Sequence, residues 1–467
     1  MIGLEGKRIL VWGAARSGLA AVALLQPLAA SVALVDDAPL DRVRPAASSA
    51  ERERAGALPE GVEIAAEGRL PHPLSHWDCL VVSPGVPASH PRLREAAALG
   101  LPVLSELEVG ARFIRGRLVA ITGTNGKTTT ATLAAHLLGG EEHGAFLAGN
   151  VGQALCGVVR RPEACVPSAT LVVEVSSFQC EHLDRFHPKI AAVLNVRPDH
   201  LDRHGDMAGY IHAKAQMGRN LMETDTVIVN ADDPQALEVV ESWRGERLEF
   251  SLEGNPEVSV RIEGDTIILE EQGGVETLLR TSDVRMPGRH SLANAMVAAA
   301  IARRCAVECV SISERCQSFE GVPHRIEWVA NERGVDYYND SKATNIDSLR
   351  TALESFDRPV ILIAGGLPKG EDFGTITDLV ASRVRTLILI GQAAEAMERA
   401  WSASVPSHRA QSFGEAVERA REVARGGDVV LLSPGCASFD MFRDFEDRGD
   451  RFREAVRETL ERGTAQA

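Results

Sequence analysis

Ile121-Thr122-Gly123-Thr124-Asn125-Gly126-Lys127-Thr128-Thr129-Thr130 is the stretch that decides the fold of this chain. The apolar run Arg117 to Ile121 predicts a strand and Thr128 to Leu138 a helix. Glycines between them let the backbone curl around phosphate groups. N–H groups at the helix start point at those phosphates, Lys127 supplies positive charge, and the Thr128 hydroxyl is placed for Mg²⁺. The spacing is a shortened variant of the usual phosphate loop, because Ile121 stands where a further glycine is expected. A strand-to-helix turn that merely uses glycine is the competing reading, and Gly-Lys-Thr in this context speaks against it.

Working outward, strands are predicted at Thr170 to Val175, Ile190 to Asn195 and Thr226 to Asn230. Alternating apolar and polar residues from Glu253 to Leu279 predict an appended hairpin. Upstream, Ile9 to Trp12, Ser31 to Val35 and Cys79 to Val82 alternate with helical patterns, as do Val360 to Ala364, Thr386 to Ile390 and Asp428 to Leu432 downstream. Strand–helix alternation implies parallel, doubly wound sheets with ligands at the carboxyl ends of strands. The chain is therefore expected to be α/β with three domains. These are an N-terminal Rossmann-like domain (1–105), a central P-loop ATPase-like parallel sheet with the appended hairpin (106–321) and a C-terminal Rossmann-like domain (322–467). Pro39 to Arg69 carries no assignable pattern.

With 467 residues, 45% hydrophobic and 25% charged, the chain has the balance of a globular enzyme. A net charge of -15 argues against general binding to nucleic acid or a membrane surface. The start of the chain shows no signal peptide and no run of about 18 apolar residues occurs, so a cytoplasmic protein is expected. Cys305, Cys309 and Cys316 form the only cysteine cluster and read as small core residues rather than metal ligands.

Glu174 ends an apolar strand, where a lone carboxylate is costly unless paired or bound to a metal; a solvated strand end is the alternative. With Thr128 it would make a sensible Mg²⁺ pair. Taken alone, His200 reads as a structural histidine and Lys214 as a surface lysine.

Thr122 to Thr129 resembles the ATP loop of Mur ligases and folylpolyglutamate synthases. Asn195-Val196-Arg197-Pro198-Asp199-His200-Leu201-Asp202, followed by Lys214, is similar to a functional unit of the Mur ligases. Further resemblance lies in Gly321 to Glu327, in Asn339-Asp340-Ser341-Lys342-Ala343-Thr344-Asn345, in Gly365 to Gly370 and in Leu432 to Asp440. The string at 339–345 resembles the glutamate-adding branch. The resemblance implies an ATP-dependent ligase of peptidoglycan precursor synthesis that adds D-glutamate to UDP-N-acetylmuramoyl-L-alanine through an acyl phosphate. An L-glutamate-adding variant or another Mur or folylpolyglutamate-type ligase is the alternative, and a nucleotide-binding regulatory module is a rival of another class.

The same resemblance implies residue roles. Lys127, Asn150, His200 and Lys214 would serve catalysis. Gly123, Thr124, Asn125, Gly126, Lys127, Thr128, Thr129, Asn294, Arg325 and Asp340 would hold ATP. Arg16, Ser17, Asp36, Asp37, Ser83, Asn150 and His200 would contact the UDP-linked substrate, and Lys342, Thr344, Lys369, Ser438 and Phe445 the glutamate. Two Mg²⁺ ions would involve Thr128, Glu174, His200 and Lys214, the last carbamylated. In the first loop Ala15 replaces the middle glycine of a dinucleotide fingerprint, which is tolerable if that loop meets uracil. A monomer is expected, with no nucleic-acid or membrane partner.

Overall fold

The computed structural model describes residues 3–39, 61–271, 273–370 and 372–465. Most of the unassigned Pro39 to Arg69 stretch lies outside them. Three sheets organise the described residues. The first runs β1 (Arg8–Trp12), β2 (Ser31–Val35), β3 (Glu63–Ala65), β4 (Cys79–Val82) and β5 (Val103–Ser105), all parallel, in the order β3-β2-β1-β4-β5. Its strand order reverses at β1 and β4. Their carboxyl ends lead into Gly13–Gly18 and Ser83–Val86, the crevice where such sheets take ligands.

The second sheet contains β6 (Arg117–Thr122), β7 (Ala145–Gly149), β8 (Thr170–Glu174), β9 (Ile190–Val193), β10 (Thr226–Asn230), β11 (Glu246–Phe250), β12 (Val260–Glu263), β13 (Thr266–Glu271) and β14 (Gly274–Arg280). Their order is β14-β13-β12-β11-β10-β9-β6-β8-β7. β6 to β12 pair in parallel, and β6 to β10 are almost wholly buried and largely apolar, as strands covered on both faces must be. β12, β13 and β14 are antiparallel and form the appended ribbon. Along the outermost strand, Glu276 pairs with Arg303, and Glu271 of β13 pairs with Arg304.

The third sheet, β15 (Glu327–Glu332), β16 (Val335–Asn339), β17 (Val360–Gly365), β18 (Val384–Ile390), β19 (Ser407–Arg409) and β20 (Val429–Leu432), has the order β15-β16-β20-β17-β18-β19. Only β15 is antiparallel to its neighbour.

The chain divides into two compact units. One holds 1–283 with 293–317, and so both of the first two sheets; the other holds 284–292 with 318–467. In the first unit one continuous core runs from Ile9 and Val11 through Leu107 and Leu155 to Val193 and Val229. The helix Arg16–Leu25, rich in alanine, packs closely on the short helix Leu155–Val158. Cys316 is buried, whereas Cys305, in the turn after the helix Arg289–Arg304, and Cys309, at the start of the helix Cys309–Ser318, are partly exposed, so two of the three are not fully buried. Among the described residues no helix is long and apolar enough to cross a membrane.

Candidate active site

β6 brings its loop to the sheet edge between β8 and β9, and the strand register sets what the loop meets. Ile121 lies beside Glu174, Glu174 beside Gly149, and Thr122 beside Val193. Glu174 is buried at 1% exposure. Its Oε2 accepts the Thr128 hydroxyl at 2.8 Å and its Oε1 the Asn150 amide at 2.8 Å. A carboxylate taken out of water without such donors costs several kcal/mol, so Glu174 is no solvated strand end.

The loop is pinned from the segment after β9. The Asn125 N–H donates to Asn195 Oδ1 at 2.8 Å, and the Asn195 amide returns a bond to Asn125 O at 3.0 Å. The Thr124 hydroxyl accepts from the Arg197 N–H at 2.9 Å and stands 3.3 Å from the Tyr210 hydroxyl. Gly126 has φ 83°, and a Cβ there would fall 2.4 Å from Asn294 Oδ1; that oxygen accepts the Thr130 hydroxyl at 3.1 Å. Glycine is thus required by conformation and by space. The helix Lys127–Leu137, with Thr128 and Thr129 in its first turn, has no side-chain cap at Gly126. N–H groups at such a helix start favour a bound anion.

Two lysines face this loop. Lys127 Nζ donates to Gly123 O at 2.9 Å and Thr124 O at 2.7 Å. Lys214, on the helix Met207–Ala215, is 1% exposed, so it is no surface lysine. Its Nζ lies 3.0 Å from Gly123 O, 3.4 Å from Thr122 Oγ1 and 4.5 Å from the Tyr210 ring centroid. Burial first, and the Lys127 charge second, push the Lys214 amine down to about 7.

His200 has left-handed backbone (φ 53°) and opens the short helix Leu201–His204. Its ring is half exposed, 4.7 Å from the Phe178 ring, with Nε2 3.5 Å from the Asp199 carboxylate. It is not a core histidine.

Among the described residues no cluster of three His, Cys, Asp or Glu side chains stands ready for a metal. What the loop offers is one hydroxyl and one carboxylate in contact. That set fits Mg²⁺, which keeps most of its shell for water and phosphate oxygens.

In the first sheet, Asp36 is committed to its own crevice: Oδ2 accepts the Ala14 N–H at 2.6 Å and Oδ1 the Ala38 N–H at 2.8 Å. Asp37 receives the Trp12 indole N–H at 3.3 Å and lies 3.4 Å from His90 Nε2. Ser83 donates to Gly13 O at 3.0 Å. Arg16 reaches out of this crevice to Gly152 O at 2.9 Å and Asn150 O at 3.3 Å, while Ser17 follows it on the helix.

The second unit gathers its own group at the carboxyl ends of β16, β17 and β20. Asp340 is buried, accepting the Ser433 hydroxyl at 2.8 Å and the Ile326 N–H at 3.3 Å, and burial raises its pKa to about 7. The charge of Arg325 opposes that rise. Lys342 Nζ lies 3.5 Å from the Phe445 ring centroid, a cation–π contact. Lys369 Nζ is 3.5 Å from Thr344 O. Its loop pairs with the one carrying Ser438 through Leu367 and Ala437.

Three contributors escape a reading of the sequence. Tyr210 precedes Lys214 by one helical turn, a spacing that could have flagged it. Asn195 was within the quoted string without a role. Arg448, 2% exposed, donates to Ser341 O at 2.7 Å, Ser341 Oγ at 2.9 Å and Cys436 O at 3.0 Å, tying together the 339–345 and 432–440 strings.

The family described as Mur ligase middle domain matches residues 121–302, and Mur ligase, glutamate ligase domain, matches 324–436. A UDP-N-acetylmuramoylalanine–D-glutamate ligase of Pelotomaculum thermopropionicum is 41% identical over 96% of this chain and 97% of its own length. One of Salinibacter ruber with the same name is 40% identical over 97% and 98%. In structure, a MurF ligase from Thermotoga maritima in complex with ADP superimposes with TM-score 0.59 at 15% identity, covering 92% of this chain and 95% of its own. A UDP-N-acetylmuramate-alanine ligase from the same organism gives 0.56 at 17%, covering 99% and 100%. At those identities the structural likeness speaks for the fold.

Proposed function

The chain belongs to the Mur ligase family, and on that premise we propose that it joins D-glutamate to UDP-N-acetylmuramoyl-L-alanine, converting ATP to ADP and phosphate, in peptidoglycan precursor synthesis. The observation that carries the ligase chemistry is the meeting of the phosphate loop, Glu174, Asn150 and a buried Lys214 at one sheet edge.

A carboxylate does not react with an amine at neutral pH, because its oxygen is a poor leaving group. The alanyl carboxylate oxygen attacks the γ-phosphorus, the bond to ADP breaks, and an acyl phosphate forms. The glutamate amine then adds to the acyl carbon and loses a proton, and the C–O bond to phosphate breaks, phosphate leaving with its electron pair. Such chemistry needs positioning and charge neutralisation above all. Lys127 exchanges its carbonyl contacts for phosphate oxygens, and Gly123 to Thr129, with Asn294, Arg325 and Asp340, hold the nucleotide. Asn150 and His200 orient the alanyl end. Arg16, Ser17, Asp36, Asp37 and Ser83 serve the UDP end, and Lys342, Thr344, Lys369, Ser438 and Phe445 the glutamate.

Bound at Thr128 and Glu174, and at a second position near His200 and Lys214, Mg²⁺ would offset the charge that builds on the phosphoryl group. Lys214 fits carbamylation: a neutral amine adds CO₂ and releases a proton, and an amine brought to about 7 is largely neutral just above that pH. Its charge then changes sign, supplying an anionic oxygen ligand. We assign three domains, 1–105, 106–321 and 322–467, one per sheet, in a cytoplasmic monomer. ADP release measured with UDP-N-acetylmuramoyl-L-alanine and each glutamate enantiomer tests the assignment. Turnover should need the UDP-linked acceptor and the D form; turnover with L-glutamate instead, or without the acceptor, overturns it.

A further inference from the structure

Arg203 sits in the one-turn helix that His200 opens, and its guanidinium is spent almost entirely on holding other parts of the chain. Nη1 donates to Pro84 O at 2.9 Å and Nη2 to Val86 O at 3.0 Å, both in the loop that follows β4 of the first sheet. Nε and Nη2 also donate to the two Glu181 oxygens, at 3.1 and 2.7 Å, and both side chains are only 13% exposed. The guanidinium carbon lies 4.2 Å from the centroid of the Phe178 ring, which is the ring that His200 packs against. His204, in the same turn, is 3.0 Å from the Ser177 hydroxyl.

These contacts form an unbroken path. Ser83 fastens the Ser83–Val86 loop to Gly13 O, Arg203 fastens that loop to the His200 turn, and Phe178 lies under both Arg203 and His200. Backbone carbonyls as acceptors fix where the loop lies, not which side chains it carries. A planar guanidinium with several donors in fixed directions can hold two carbonyls and a carboxylate together, which an ammonium cannot.

We propose that Arg203 is a positioning residue that couples the first-sheet loop at the UDP end of the acceptor to His200 at its alanyl end, so that binding one end sets the other. The inference rests on the ligase reading above and deepens it. His200 carries a left-handed backbone that its short helix alone does little to enforce, and Arg203 supplies the tertiary hold.

The test compares wild type with Arg203→Lys, Arg203→Gln, His200→Ala and the double variant His200→Ala/Arg203→Lys. Each substrate is varied in turn, with UDP binding followed by calorimetry. Losing two to three of the guanidinium's bonds should raise KM for the acceptor about tenfold and weaken UDP binding in parallel. KM for ATP and for glutamate should stay within about twofold, since the residues proposed to hold them are not bonded to Arg203. The kcat loss from Arg203→Lys should shrink on the His200→Ala background, the mark of coupled residues. Glu181→Gln, which keeps both carbonyl contacts, should give a smaller shift of the same kind and serves if Arg203→Gln does not fold. Acceptor KM unchanged, all three KM values rising together, or kcat losses that simply multiply would each overturn the coupling. A wild-type protein without ligase turnover would instead sink the reading beneath it.

Discussion

Lys127 and Lys214 converge on one backbone oxygen: their Nζ atoms lie 2.9 and 3.0 Å from Gly123 O. Lys214 is buried, which disfavours its charge most, and the neighbouring Lys127 charge adds to that. That is why the Lys214 amine is brought to about 7 while it stays within reach of the phosphate loop.

From this we expect Lys214→Ala to lose nearly all ligation while its thermal unfolding midpoint stays within a few degrees of wild type, because an alanine relieves the charge burial it leaves behind. The bond to CO₂ needs the neutral amine, which dominates above pH 7 and is lost below it. Label from isotopically marked bicarbonate should therefore be retained at pH 8 and fall away toward pH 6. Full activity of Lys214→Ala, or label retained in that variant, would remove the carbamate.

Replacing Thr128 by Val should leave Glu174 Oε2 without its 2.8 Å donor and take away the hydroxyl offered to Mg²⁺. We expect the Mg²⁺ concentration for half-maximal activity to rise about tenfold or more, with acceptor KM little changed. Glu174→Gln should do the same more severely. An unaltered Mg²⁺ dependence in both variants would separate this pair from the metal.

Gly126→Ala combines a left-handed φ of 83° with a Cβ placed 2.4 Å from Asn294 Oδ1. The backbone term alone is about 1–2 kcal/mol, and we expect ATP affinity to fall with stability. Gly126→Ala/Asn294→Ala should recover part of the stability by removing the clash and none of the conformational cost. Scanning calorimetry with and without ATP reads both.

Glu106 has Oε1 on the Cys156 N–H at 2.6 Å, while its Oε2 is buried without a hydrogen-bond partner, and burial raises its pKa from 4.5 to about 7. Between those values the folded state keeps a proton that the unfolded chain releases. The stability this group gives is full below pH 4.5 and fades as pH rises through 7, a change on the order of 3 kcal/mol. Glu106→Gln should flatten that slope in urea unfolding measured from pH 5 to 8. An unchanged slope would show that the carboxyl titrates normally.

Much of this was readable in the residues, because strands buried on both faces announce themselves as apolar runs. Val119 to Ile121 and Val360 to Ala364 are examples. The phosphate loop was readable too, since phosphate binding demands glycine at fixed places. Arg203 and Arg448 were not, because they bond to backbone carbonyls, and a carbonyl has no letter in the sequence. The Cys305 and Cys309 positions misled for a simpler reason: the helix Arg289–Arg304 stops just before Cys305 and the next starts at Cys309, so their helical spacing places them on no common face. The segment 284–292 joins the second unit although the chain returns to the first at 293, a path that contacts fix and composition does not mark.

The ribbon of β12 to β14 has a consequence for how this protein behaves in a crowded solution. Without it, β11 would end the parallel sheet with an open row of N–H and C=O groups, a template for another chain. The ribbon moves that frontier to β14, where the first four residues are exposed and Glu276 is held by Arg303. A charged frontier on this nine-stranded sheet disfavours edge-to-edge stacking between copies.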